Sequence, residues 1–493
     1  MRPPITAVIA TLGLLTTGLT GLVTAPAASA FVPTLTYVAC PDYVYPDITK
    51  CAELTVPLDW QTPDDGRTTT IALRVVPSKR KSGGLTFNPG GPGGAGIEIG
   101  ASVYDNLPKP LKDRFDFVMW DPRGVGQSGP KITGCGPKPQ PDLPLTGPVD
   151  WQKTWSEYAV ANGAALADCF AKNPDSAPYL GTWQVIRDLE AMRTALGYPK
   201  WNYWGMSYGT RIGYAYAKTF PNSLRTMIVD GSLWPQETLY RLSSQQPMAY
   251  ATALQVYSSV VDRGQARKVE QILQVLDDTY IQGEGDVLSR WTFTNFIFGA
   301  LGSQQAYPSI KSGVDAVYQA LVAKPGVQSR KAAVRAVAGD DPEPFWSETY
   351  LFSFINCADI HDRPTAETAG RVAASAALDF GTVYGVATEN IASCQGLAAD
   401  YSPGVTSDWS TIVLETPPVV VLSLGDRATP WLWGKMMANQ YARSRTINYN
   451  SSQHVTYLST SSRCVNAPVT SYLVRRSLPA ANVLCPYVPS PQE

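Results

Sequence analysis

The pentad Gly205-Met206-Ser207-Tyr208-Gly209, set between "WNYW" and "TRIGYAYAKTF", constrains this chain more than any other stretch. Ser207 lies just after a short aromatic run and just before a plausible helix, so it is either a catalytic nucleophile or a small polar residue at a tight turn. Two glycines around a serine also arise by chance in a chain with 40 glycines, so the reading depends on what else the sequence supplies.

The surrounding pattern supplies a fold. "CAELTVPLDW" and "TTTIALRVVPS" read as strands, and "GGLTFNPGGPGGAG" and "RFDFVMWDPRGVGQSG" each run from a strand into a turn. Residues 151–171 and 182–196 carry helical periodicity, and Thr226 to Val229 reads as a further buried strand. Strands alternating with helices predict an α/β fold, a mostly parallel sheet with helices on both faces. Beyond Pro235 the patterns turn helical, until "PPVVVLSLGDRATP" restores the strand grammar near Thr416. The expected organisation is a signal segment at 1–30, a first core part at 31–235, an inserted mainly helical cap at 236–405 and a C-terminal core part at 406–493.

Residues 1–30 carry one arginine, an apolar stretch and "APAASA", in which Ala28 and Ala30 fit cleavage before Phe31. No later run approaches the roughly 20 apolar residues of a membrane span, so the expectation is a secreted, extracellular protein with no membrane insertion after cleavage. A net charge of −1 and the lack of any basic tract argue against nucleic acid as a partner. All eight cysteines follow residue 30, and in an oxidising compartment an even number predicts disulfides. Sequence alone leaves many pairings open; pairing neighbours gives Cys40–Cys51, Cys135–Cys169, Cys357–Cys394 and Cys464–Cys485. With no C-x-x-C and only two histidines, no metal site is expected. The glycine loop lacks a P-loop's Lys-Ser/Thr ending and the dinucleotide spacing, so no cofactor is implied. Oligomeric state is left open.

A serine nucleophile needs a base and an orienting acid. The two histidines are His361, within the helical block, and His454, beyond the valine-rich strand. Where serine, acid and histidine follow in that order, the base comes late in the chain, which selects His454 and leaves His361 a capping or packing role. Asp426 stands just past the strand that precedes His454, whereas Asp121 precedes the serine and sits in ordinary Asp-Pro turn chemistry. An oxyanion hole requires two backbone N–H groups. The Tyr208 amide supplies one, and the "NPGGPGG" loop at 88–94 is suited to the other because glycine permits close backbone approach.

Taken together, "NPGGPGG", "WDPRGVGQSG", "YWGMSYGT", "VDG" at 229–231, "GDRATP" at 425–430 and the stretch holding His454, Cys464 and Cys485 resemble one family. It is the tripeptidyl-aminopeptidase-like branch of the α/β-hydrolases, related to prolyl aminopeptidases and found as secreted enzymes of actinobacteria. The resemblance runs over roughly residues 40–490. It implies an α/β-hydrolase fold with Ser207 as nucleophile, Asp426 as acid, His454 as base, and oxyanion amides at Tyr208 and Gly91, with Gly90 the alternative to the latter. It also implies peptide or protein N-termini as substrates, cut to release short fragments, often tripeptides. Such an exopeptidase needs a carboxylate to pair with the substrate ammonium. Glu237 and Glu348 are the candidates, and a solvated or helix-face role is equally open to both. Two rival readings remain: a carboxylesterase using the same triad, and an inert secreted binding protein on a hydrolase scaffold. One departure stands out, since Val455 follows His454 where the family has glycine, so the local loop is expected to differ in shape.

Overall fold

The computed structural model describes residues 31–40, 47–283, 286–323, 327–337, 350–405, 408 and 410–489. The segment 1–30, with Ala28 and Ala30, and Glu348 lie outside the described residues. The strands are β1 (Thr34–Val38), β2 (Lys50–Pro57), β3 (Thr68–Val76), β4 (Gly84–Asn88), β5 (Asp116–Trp120), β6 (Trp201–Met206), β7 (Leu224–Asp230), β8 (Ile281–Gln282), β9 (Val287–Leu288), β10 (Val419–Ser423), β11 (Arg445–Tyr449) and β12 (Val483–Cys485). Ten of them form one sheet in the order β1-β2-β3-β5-β4-β6-β7-β10-β11-β12, while β8 and β9 make a separate hairpin. Pairing is antiparallel from β1 to β5 and parallel from there to β12.

The sequences of the central strands explain their placement. Every residue of β4, β6 and β10 is buried, as "GLTFN", "WNYWGM" and "VVVLS" suggest. A parallel strand covered on both faces reads as a nearly unbroken apolar run. Side-chain alternation then feeds two cores. Val229 and Val420 pack with Ile186, Leu189, Ile212 and Ala215, from the helices Thr182–Ala195 and Gly209–Thr219. Their neighbours Ile228 and Val421 pack on the opposite face with Ile97, Val465 and Val469, from the helices Gly96–Asn106 and Arg463–Arg475.

Between β7 and β10 the described chain is almost entirely helical, with its own core around Tyr257, Ile272, Phe293, Ile310 and Val314. The helix Trp151–Lys172, which precedes β6, joins these later helices by packing along Ala366–Phe380. Contact there is close: a Cβ on Gly370 would lie 2.2 Å from the Gln152 carbonyl oxygen. Periodicity announces an apolar face on 151–172 but not which element covers it.

Cys40 is bonded to Cys51, Cys135 to Cys169, Cys357 to Cys394 and Cys464 to Cys485. The last, with a sequence separation of 21, fastens the helix Arg463–Arg475 to β12. A loop of that size contributes about 3 kcal/mol by restricting the unfolded chain. Among the described residues no helix is long and apolar enough to cross a membrane. β4, β6, β7, β10 and β11 are consecutive in the sheet, so the loops at their C-terminal ends converge along one edge, where open α/β sheets place their sites.

Candidate active site

At the end of β6 the chain turns at Ser207, whose φ of +52° lies in the left-handed region, and enters the helix Gly209–Thr219. A non-glycine residue there stores strain, which is tolerated when neighbours over-determine it. The Ser207 amide donates to the Asp230 carbonyl at 3.0 Å, and the Ser207 carbonyl accepts from the Thr210 amide at 2.9 Å and from its hydroxyl at 2.6 Å. The flanking glycines are obligatory by contact. A Cβ on Gly205 would meet the Gly209 carbonyl oxygen at 2.4 Å, and one on Gly209 would meet the Asn88 carbonyl oxygen at 2.5 Å.

Past β10, Asp426 is buried and fully engaged. It accepts from the Ala428 and Thr429 amides, both at 2.9 Å, and from the Thr429 hydroxyl at 2.8 Å. Past β11, His454 brings Nδ1 to 2.8 Å from Asp426 Oδ2 and 3.0 Å from Oδ1. An ionised carboxylate only accepts, so Nδ1 carries the proton and Nε2 keeps its lone pair. The imidazole also lies against the residue after Asp230, since a Cβ on Gly231 would be 3.1 Å from His454 Cε1. Val455, which follows His454, adopts φ +59°, in the left-handed region that favours glycine.

The glycine loop packs on the elbow. A Cβ on Gly90 would lie 2.6 Å from Ser207 Cβ and 3.1 Å from the Tyr208 nitrogen. The Gly90 amide is already bonded to Asn88 Oδ1 at 3.0 Å. Among the described residues, the Gly91 and Tyr208 amides donate to no protein acceptor, which leaves both available to an oxyanion.

Other candidates stand elsewhere or are committed. His361 is exposed, with Nε2 3.3 Å from the Ala358 carbonyl oxygen. Asp121 binds the Ile97 and Gln127 amides at 2.9 and 2.8 Å, organising the turn after β5. Burial raises its carboxyl above the usual range, and those two amides oppose the shift. Glu237 is buried in an ion pair with Arg211, whose guanidinium also reaches Asp359 at 3.1 Å and Asn356 at 3.0 Å. Asp359 in turn accepts from the Thr182 hydroxyl, which lies 2.6 Å from the Tyr208 hydroxyl. An ammonium arriving at Glu237 would therefore compete with a guanidinium.

Three features escape the sequence. Thr429 completes the shell of Asp426, signalled only by "GDRATP". Asp230, the centre of "VDG", accepts at both carboxylate oxygens from the Thr456 and Tyr457 amides, at 2.9 and 2.8 Å. The helical block also grips the loops that carry Asp426 and His454. Arg427 donates to the Gly299 carbonyl at 3.0 Å and to the Tyr250 hydroxyl at 3.0 Å, and the His454 amide donates to the Gly302 carbonyl at 2.8 Å. No local pattern reports such long-range polar partners.

Comparison with known proteins agrees with this geometry. Residues 85–274 match the family described as alpha/beta hydrolase fold, and residues 381–485 the family described as TAP-like protein. Over 478 residues, 90% of this chain and 89% of the relative, the sequence is 28% identical to the serine protease Hip1 of Mycobacterium tuberculosis. It is 33% identical over 222 residues to the tripeptidyl aminopeptidase of Streptomyces lividans, covering 42% of this chain and 40% of that protein. It is 25% identical over 496 residues to carboxylesterase B of Mycobacterium tuberculosis, covering 93% and 91%. The first family match spans the glycine loop and Ser207, the second spans Asp426 and His454, and together they support a TAP-like α/β-hydrolase.

Proposed function

We propose that the chain is a secreted serine peptidase that releases short peptides, tripeptides foremost, from free N-termini. The observation that carries the serine chemistry is the Asp426–His454 pair, set at the same sheet edge as a strained Ser207. In this reading His454 Nε2 takes the Ser207 proton as Oγ attacks the scissile carbonyl. The resulting oxyanion is held by the Tyr208 and Gly91 amides, the amine leaves with the proton, and water resolves the acyl-enzyme. A serine, histidine and aspartate all in place argue against an inert scaffold. Four disulfides support an oxidising compartment outside the cytoplasm.

Peptides as substrates rest on the likeness to proteins named serine protease and tripeptidyl aminopeptidase. Glu237 and Asp359 share the single guanidinium of Arg211, and Glu237 stays the candidate for the substrate ammonium in this reading. The test compares free and acetylated forms of one peptide library by mass spectrometry of the products. If a buried charge pair reads the ammonium, acetylation lowers kcat/KM by about 30-fold or more, in keeping with roughly 2–5 kcal/mol for such pairs. Equal rates on both forms contradict exopeptidase action. The relative named carboxylesterase B supports ester hydrolysis as the second reading. Faster turnover of p-nitrophenyl esters than of every peptide tested would select it.

A further inference from the structure

Asp230 ends β7 with no exposed surface, and three contacts tie it to both halves of the site. Its carbonyl accepts the Ser207 amide at 3.0 Å. Its two carboxylate oxygens accept the Thr456 and Tyr457 amides, immediately beyond His454, at 2.9 and 2.8 Å. The next residue, Gly231, backs onto the imidazole: a Cβ there would stand 3.1 Å from Cε1 and 3.2 Å from Nδ1. The loop so held is strained, with Val455 at φ +59° and Leu458 at φ +63°. A β-branched residue persists in the left-handed region only where its surroundings over-determine it. The Asp230 carboxylate is one such constraint, beside Gln453 Nε2, which donates to the His454 and Val455 carbonyls at 2.7 and 3.1 Å. Thr456 adds a hydroxyl contact to Ser423 at 2.9 Å, and the Tyr457 ring packs on Trp204 of β6 with centroids 5.0 Å apart.

We propose that Asp230 is a positioning residue for the acyl transfer inferred above, on which this inference rests: its main chain seats the nucleophile while its carboxylate seats the loop of the base. One residue thereby sets the spacing of Ser207 and His454. An amide side chain could not do both tasks. Asparagine at this position would accept from one amide and oppose the other with its own N–H. The carboxylate also contributes to the field at His454, alongside Asp426 from the loop after β10; Tyr457 is the other titratable group of the histidine loop packed here. Burial pushes the Asp230 carboxyl up to about 7, reinforced by Asp426 and opposed by the two amides and by His454.

The experiment uses the full chain and compares wild type, Asp230→Asn and Ser207→Ala, with active sites counted by a fluorophosphonate probe. Asp230→Asn is expected to lower kcat per titrated site by about 100-fold, as displacements of about an ångström do, with KM little changed. A merely structural carboxylate would change the number of titrated sites but not kcat per site, and that outcome overturns the proposal. Ser207→Ala retaining full activity would instead sink the serine reading itself, so the two failures are distinguishable. Should Asp230→Asn not be recovered folded, amide exchange in the wild type decides. Protection of Thr456 and Tyr457 matching that of β7 supports the clamp, and exchange as fast as in the exposed loop near Arg443 overturns it.

Discussion

His454 and Asp426 meet through Nδ1 and Oδ2 at 2.8 Å, and the remaining acceptor sites of that carboxylate are filled by the Ala428 and Thr429 amides and the Thr429 hydroxyl. The carboxylate is therefore held in place by its own loop, and it fixes the tautomer of the imidazole. Asp426→Asn removes the acceptor that holds the proton on Nδ1. The expected result is a loss of about 10⁴-fold in kcat with the fold retained. Steady-state kinetics beside circular dichroism check this, and a variant within about tenfold of wild type contradicts the assignment.

Gly90 tests the oxyanion loop. It sits at φ +99°, and a Cβ there would fall 2.6 Å from Ser207 Cβ. Gly90→Ala must displace either the loop or the elbow, and with it the Gly91 or Tyr208 amide. Losing one such donor costs about 10²–10³ in kcat, which is the expected drop in an otherwise folded enzyme. Near-normal kcat would mean that this loop does not face the reacting carbonyl.

Glu237→Gln separates ion-pair from recognition roles. Arg211 keeps Asp359 and Asn356 but loses one charge-assisted partner, worth roughly 1.5–3 kcal/mol. With Glu237 as the candidate for the substrate ammonium, the preference for free over acetylated peptides is expected to fall. A lower midpoint in urea with that preference unchanged would leave Glu237 an ion-pair residue alone.

The same comparison of sequence and structure shows what a linear reading reaches. Ser207 and Asp426 can be placed at strand ends from the sequence because the strands before them are buried runs, whereas His454 is singled out by chain order and the scarcity of histidine, since β11 reads "RTINY". The neighbour pairs of cysteines were legible because short loops favour them. Glu237 resembled an unclaimed carboxylate because its partner Arg211 lies on another element, and periodicity says nothing of polar partners across elements. Asp230 was hidden for the same reason: its carboxylate is claimed by amides of a loop late in the chain. The packing of Trp151–Lys172 on Ala366–Phe380 required knowing which apolar faces meet.

Asp230 also predicts a pH dependence of stability. Burial raises its carboxyl from 3.8 to about 7 in the folded protein. Between about pH 4 and 7 the folded state therefore holds a proton that the unfolded chain has released, so this contribution is complete below that window and is lost as pH rises through about 7. Urea titrations across the window should show wild type losing stability with rising pH relative to Asp230→Asn. Parallel curves for the two proteins would contradict a proton held at this site.

The claim on which the rest depends is that Ser207 forms the covalent bond. The most direct measurement is peptide mapping by mass spectrometry after treatment of the protein with a fluorophosphonate, with hydrolysis followed in the same samples. The account predicts one phosphonyl adduct, on Ser207, with activity falling in proportion to labelling and no adduct in His454→Ala at comparable times. Hydrolysis that survives complete labelling, or an adduct on another residue that abolishes it, would contradict the account.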